Sequence, residues 1–190
     1  MKEIKVVGFD PSLNNWGIAI GTLNLSTMNL KIEHLGLTSP TFEAGKNTRK
    51  NSTDVERAAQ LYKAAIPACE GASAVFVEVP VGSKSARAMA SYGICIGVLG
   101  SIRGTGVPFF EVTPNEVKIE TTGKKTATKQ EMISWAMTRH PEAPWPMQKK
   151  NGEMIVIAGQ AEHMADAVGA IYAGLQSADF QRMMAFLKAA

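Results

Sequence analysis

The chain has 190 residues, of which 45% are hydrophobic and 19% charged, and its net charge is +3. These values suit one globular domain with a full apolar core and exclude a disordered or fibrous chain. No run approaches the roughly 20 apolar residues of a membrane span, and so small a charge gives no whole-molecule field that would argue for a nucleic-acid partner.

The two cysteines, Cys69 and Cys95, form no CxxC pair and lie in apolar helical contexts. They read as reduced and buried, which suits the cytoplasm. The apolar run after Lys5 is short and is cut by Asp10, unlike a signal peptide.

That first run, Ile4 to Phe9, ends at a single acid, Asp10. Pro11, Ser12, Asn14 and Asn15 then make a turn, and a second run follows from Trp16 to Leu23. The pattern predicts two hairpin strands with a carboxylate at the mouth of the first. Met28 to Leu35 alternates as the third strand of an antiparallel meander. Residues 38 to 53 are polar, carry Lys46, Arg49 and Lys50, and read as a mobile loop. Thr53-Asp54-Val55-Glu56 is a capping box that opens a helix to about Cys69.

Ala74 to Val79 is a short apolar strand with Glu78 in it. A long helix is expected over 84–103. Its small residues Ala86, Ala90, Gly93, Gly97 and Gly100 form one stripe, suited to a second copy of the chain or to its own sheet. Val107 to Val112 is another buried strand. Asn115 to Lys118 begins a short helix or turn, and Thr121 to Lys125 reads as loop. Thr128-Lys129-Gln130-Glu131 caps a helix to Arg139.

Pro141, Pro144 and Pro146 rule out a helix, and Lys150-Asn151-Gly152-Glu153 offers a type I′ turn for a hairpin flap within 141–157. Residues 161–175 form an apolar helix with Glu162, His163 and Asp166 near its start. A last amphipathic helix carries Phe180, Met183, Met184 and Leu187. The element order predicts an α/β fold of one domain over residues 1–190. Its five-stranded mixed sheet has three antiparallel strands, then parallel ones, with helices on both faces and a right-handed crossover.

Asp10, Glu78 and Asp166 are acids in apolar elements. Ionised carboxylates in such places need a cation or a hydrogen-bond partner. His163 lies three residues before Asp166, on the same helical face. Hard oxygen ligands favour Mg²⁺ or Mn²⁺, and two such ions about 3.5–4 Å apart suit in-line attack of water on a phosphodiester. Blander readings are a turn-capping Asp10, a solvated Asp166 and a structural His163. Between residues 118 and 129 the basic side chains Lys118, Lys124, Lys125 and Lys129 face one acid, Glu120. This stretch suits phosphate contacts, or is simply a solvated basic loop. Lys84 and Arg87, just after Glu78, suit the same backbone.

Gly8-Phe9-Asp10-Pro11-Ser12 with Gly17, Val75-Phe76-Val77-Glu78, and His163-Met164-Ala165-Asp166-Ala167 together resemble the three motifs of the RuvC family of Holliday junction resolvases, especially its bacteriophage members. The resemblance spans residues 4 to about 175. It implies an RNase H-like fold and a crossover junction endodeoxyribonuclease of DNA recombination and repair. It further implies two Mg²⁺ ions per site, with Mn²⁺ able to substitute. Asp10 would bridge both ions, Glu78 would hold one, and His163 and Asp166 would serve the other. Lys118 and Lys129 match the segment where the family contacts scissile-strand phosphates. A four-way junction is two-fold symmetric, so paired nicks call for a homodimer.

Three features depart from the family. No aromatic follows Glu78 in Val79-Pro80-Val81-Gly82-Ser83. Glu162 competes with His163 as the fourth ligand. Segment 141–157 reads as an insertion whose Trp145, Lys149 and Lys150 contact DNA, or whose Trp145 anchors it to the core. Alternative functions are a looser nuclease of branched DNA or RNA–DNA hybrids, and a non-catalytic DNA-binding module.

Overall fold

The structure is a computed structural model that describes residues 3–43, 45 and 48–189. Five strands form one sheet in the order β3-β2-β1-β4-β5. β1 (Glu3–Asp10), β2 (Trp16–Asn24) and β3 (Leu30–Thr38) are the antiparallel meander, while β4 (Ala74–Glu78) and β5 (Phe109–Val112) run parallel to β1. The α/β mixed sheet is therefore as expected. The helices are α1 (Lys50–Cys69), α2 (Ala86–Arg103), α3 (Pro114–Thr122), α4 (Lys129–Arg139), α5 (Ala158–Leu175) and α6 (Ala178–Ala189).

Strand alternation divides the core into two layers. Val7, Phe9, Val75 and Val77 point to one face, where they meet Leu61 and Ala65 of α1 and Cys95, Val98, Leu99 and Ile102 of α2. Val6 and Phe76 point to the other and meet Ala161, Ala165, Val168 and Ile171 of α5, with Phe180 of α6 behind. Phe180 closes this layer edge-on against Phe76 and Phe110, with ring centroids 5.2 and 5.4 Å apart.

Several boundaries differ from expectation, each for a local reason. α1 starts at Lys50, and the capping box at Thr53 does not form. Thr53 already lies inside the helix, and Asp54 turns inward to Arg87. A box the sequence reading missed does form: Thr113 and Glu116 cap α3 reciprocally around Pro114, so the helix continues to Thr122 where a loop was expected from Thr121. The Thr128–Glu131 box heads α4 as predicted. α5 begins at Ala158, which places Glu162, His163 and Asp166 in its second and third turns.

The hairpin is present as β6 (Met147–Lys150) and β7 (Glu153–Val156), with Asn151 at φ 50° and Gly152 at φ 90°. Both central residues have positive φ, as a type I′ turn requires. Trp145 is buried at its foot and donates its indole N–H to the His140 carbonyl at 2.8 Å. Trp145 is thus an anchor, while Lys149 and Lys150 are exposed. The small-residue stripe of α2 does not pack on the sheet. A Cβ added at Gly93, Gly97 or Gly100 would meet nothing within 4 Å. Lys46 and the Leu187 side chain lie outside the described residues.

Candidate active site

Period two decides where the strand acids go. Asp10 follows Val6 and Gly8 on the α5 face of β1, and Glu78 follows Ala74 and Phe76 on the same face of β4. The parallel register pairs Gly8 with Phe76 and Phe9 with Val77. One further step sets Asp10 beside Glu78, about 4.8 Å apart along the hydrogen-bonding direction.

Glycines then let α5 down onto them. A Cβ on Gly8 would lie 2.1 Å from the Ala167 carbonyl oxygen, and one on Gly17 would lie 2.1 Å from that of His163. Gly17 is also the cross-strand partner of Asp10. The helix backbone therefore touches the sheet on both sides of the acid. His163 reaches Asp10 directly: Nδ1 donates to Oδ2 at 2.7 Å.

The electrostatics are those of a site short of positive charge. Burial, reinforced by Asp10 and then Asp166, pushes the Glu78 carboxyl up to about 9. Burial and then Asp10 raise Asp166 to about 7. The hydrogen bond to Asp10 raises His163. No hydrogen bond or ion pair holds Glu78 or Asp166 among the described residues. The positive charge of Lys118 works against the rise at Glu78, and at Asp166 His163 and then Lys118 do so. A cavity of about 230 Å³, lined by Asp10, Ser12, Glu78, Val81, Tyr92 and Pro114, opens beside the acids.

Three carboxylates and an imidazole are a hard donor set that fits a divalent ion of the Mg²⁺ class. Among the described residues no three of them already surround a metal position. Two of these donors, His163 and Asp10, are bonded to each other at 2.7 Å.

The basic residues divide. Arg87 is spent on α1, its guanidinium bonded to both oxygens of Asp54 at 2.6 and 2.7 Å. Lys124 pairs with Glu131. Lys129 pairs with Glu162, Nζ to Oε2, at 2.8 Å. Lys84 and Lys125 are exposed and carry no ion pair among the described residues. Sequence reasoning missed the Glu162–Lys129 pair and the seating of α5 on Gly8. The available signal for Gly8 was a glycine inside an apolar strand, which marks close backbone approach.

Two solved structures share this architecture along nearly the whole chain. One is Thermus thermophilus RuvC, with 20% identity and a TM-score of 0.61. The other is T. thermophilus RuvC in complex with a Holliday junction substrate, with 18% identity and a TM-score of 0.62. Each comparison covers 95% of this chain and 96% of the other. The chain has a RuvC-like fold. No protein-family model matches it, and no curated protein does either. In this RuvC-like frame the sheet is of the RNase H type, with its acids at the carboxyl ends of β1 and β4 and on α5. No helix among the described residues is long and apolar enough to cross a membrane.

Proposed function

We propose that the chain is a divalent-metal-dependent, structure-specific endonuclease that resolves four-way DNA junctions by paired, symmetric nicks. One observation carries the reading: Asp10, Glu78, His163 and Asp166, drawn from distant parts of the chain, meet on one face of a RuvC-like sheet. Structural similarity to a protein seen in complex with a Holliday junction supports the substrate class.

Asp10, Glu78, His163 and Asp166 would hold two Mg²⁺ ions, or Mn²⁺ in their place. When bound, these supply an activated water and charge stabilisation at the leaving oxygen. The remaining work falls to side chains already in place. Lys118 sits within electrostatic reach of Glu78 and Asp166 and binds the scissile phosphate. Lys129, at the first turn of α4, takes a neighbouring phosphate. Lys84 and Lys125 follow the backbone away from the site, with Lys124 adding charge once it leaves Glu131. Arg87, held by Asp54, braces α2 against α1.

Two nicks on a two-fold substrate require two sites, so the active form is a homodimer. The α2 stripe, exposed between Met89 and Ile96, is its contact surface. The test is cleavage of a synthetic four-way junction in Mg²⁺, each strand end-labelled in turn. Linear duplex, a three-way junction and an RNA–DNA hybrid serve as competitors. Symmetric paired nicks that survive duplex competitor establish a resolvase. Equal cutting of every branched or hybrid substrate identifies a looser nuclease. Binding without cutting in Mg²⁺ or Mn²⁺ refutes catalysis.

A further inference from the structure

Glu162 and Lys129 are 33 positions apart and meet only through the docking of α4 on α5. Both carboxylate oxygens engage the ammonium, at 2.8 Å from Oε2 and 3.0 Å from Oε1. The partners differ in freedom. The Glu162 side chain is 17% exposed and the Lys129 side chain 78% exposed, so the acid is fixed and the lysine reaches to it. Glu162 Oε1 also stands 3.5 Å from His163 Nε2, and His163 holds Asp10. The pair therefore closes the rim of the acidic site, and the Lys129 charge is raised in basicity chiefly by Glu162.

A carboxylate and a phosphodiester offer an ammonium the same thing, a pair of anionic oxygens. We propose that Glu162 is a positioning residue that stands in for a DNA phosphate on Lys129. It holds the lysine over the site in the DNA-free protein and surrenders it when a phosphate arrives. The proposal rests on the nuclease reading for its partner and adds what that reading lacks, a reason for Glu162 beside the ligand set. A paired lysine gains little from any passing duplex. Only a substrate that seats its backbone in the site replaces both carboxylate contacts, so Glu162 lowers affinity for unbranched DNA.

The experiment is equilibrium binding in EDTA, with fluorescent linear duplex and four-way junction, over a range of salt. Removing metal keeps cleavage out of the readout. Glu162→Gln should tighten duplex binding about two- to fivefold, the scale of one exposed ion pair. It should also steepen the salt slope by about 0.9, the release expected from one more lysine free to neutralise a phosphate. Both gains should vanish in the Lys129→Ala background. In the presence of Glu162, Lys129→Ala alone should change the slope on linear duplex by well under about 0.9.

An unchanged affinity and slope in Glu162→Gln overturns the proposal. So does a gain that persists undiminished without Lys129, since that would reflect only the loss of a negative charge. Should Glu162→Gln fail to melt cooperatively, the Lys129→Ala slope on linear duplex decides alone, and a full loss of about 0.9 there rejects the stand-in. A chain that binds neither DNA sinks the nuclease reading itself. DNA binding with an unmoved slope sinks only the role of Glu162.

Discussion

Gly8→Ala is the sharpest test of how the site is built. The new methyl would sit 2.1 Å from the Ala167 carbonyl oxygen and 2.7 Å from Ile171 Cγ1. An ordinary contact needs roughly 3.5 Å, so α5 must lift by about 1.4 Å. The obstacle is helix backbone, which cannot rotate away as a side chain can. The cost therefore falls at or above the upper end of the usual overpacking range, about 3 kcal/mol. For a chain of this length that lowers the melting temperature by roughly 6–12 °C. The same lift moves Asp166, the residue next to Ala167, away from Asp10 and Glu78. A 1 Å misplacement of reacting groups costs on the order of 10²-fold in rate. Thermal melting and junction cleavage, measured below the melting point of the variant, read the two effects separately. Gly159→Ala, at the exposed start of α5 and outside the proposed dimer stripe, is the control. Nothing lies within 4 Å of its added methyl, and it should be neutral or stabilise by up to about 1 kcal/mol. A Gly8→Ala protein that melts and cuts like the parent would refute the close seating of α5.

Asp10→Asn should keep its fold and its DNA binding but lose cleavage, as gel assays of binding and nicking would show. Mg²⁺ at about ten times its Kd should stabilise the parent by about 1.4 kcal/mol and leave Asp10→Asn unmoved, which calorimetry can check. Asp54→Ala strips Arg87 of both its charged hydrogen bonds and should cost about 2 kcal/mol at pH 7. The Arg87 guanidinium holds the Asp54 carboxyl below its ordinary value. The folded protein thus binds fewer protons there than the unfolded chain. The contribution is complete above about pH 4 and fades as pH falls below it. Denaturant melts of parent and variant should therefore converge on acidification. Gly97→Arg places a charge in the α2 stripe and should convert a dimer into a well-folded monomer by sedimentation; an unaltered mass would remove that stripe from the interface.

The frame of the site was legible because it rests on local pattern. Asp10 and Glu78 are single acids ending apolar runs, and the alternation of each run already says which face they share. Asn151-Gly152 announces its own turn. What escaped depends on contacts that sequence spacing does not encode. Asp54 looked like the second residue of a capping box, yet Arg87 on another helix claims it. Arg87 looked like a DNA contact for want of any visible partner. Glu162 looked like a rival to His163 as fourth ligand and Lys129 like a phosphate contact, and nothing in their spacing said that α4 and α5 would pair them. The α3 cap at Thr113 and Glu116 was readable and was passed over, since Pro114 there marks a first turn and not a break.

The seating of α5 also sets when the site comes into being. Its strand acids lie at residues 10 and 78, while the helix that covers them begins at Ala158. A chain emerging from synthesis in order can pair β1 with β4 long before residue 158 exists. Until then Asp10 and Glu78 stand in open water without His163 or Asp166, and the apolar face of the sheet is bare. Contacts of such long sequence separation form late and slowly. The last-made part of the core is thus also the part that completes the acidic cluster. Half-made chains carry strand acids with no helix to gather them, and the acidic cluster arrives together with the finished fold.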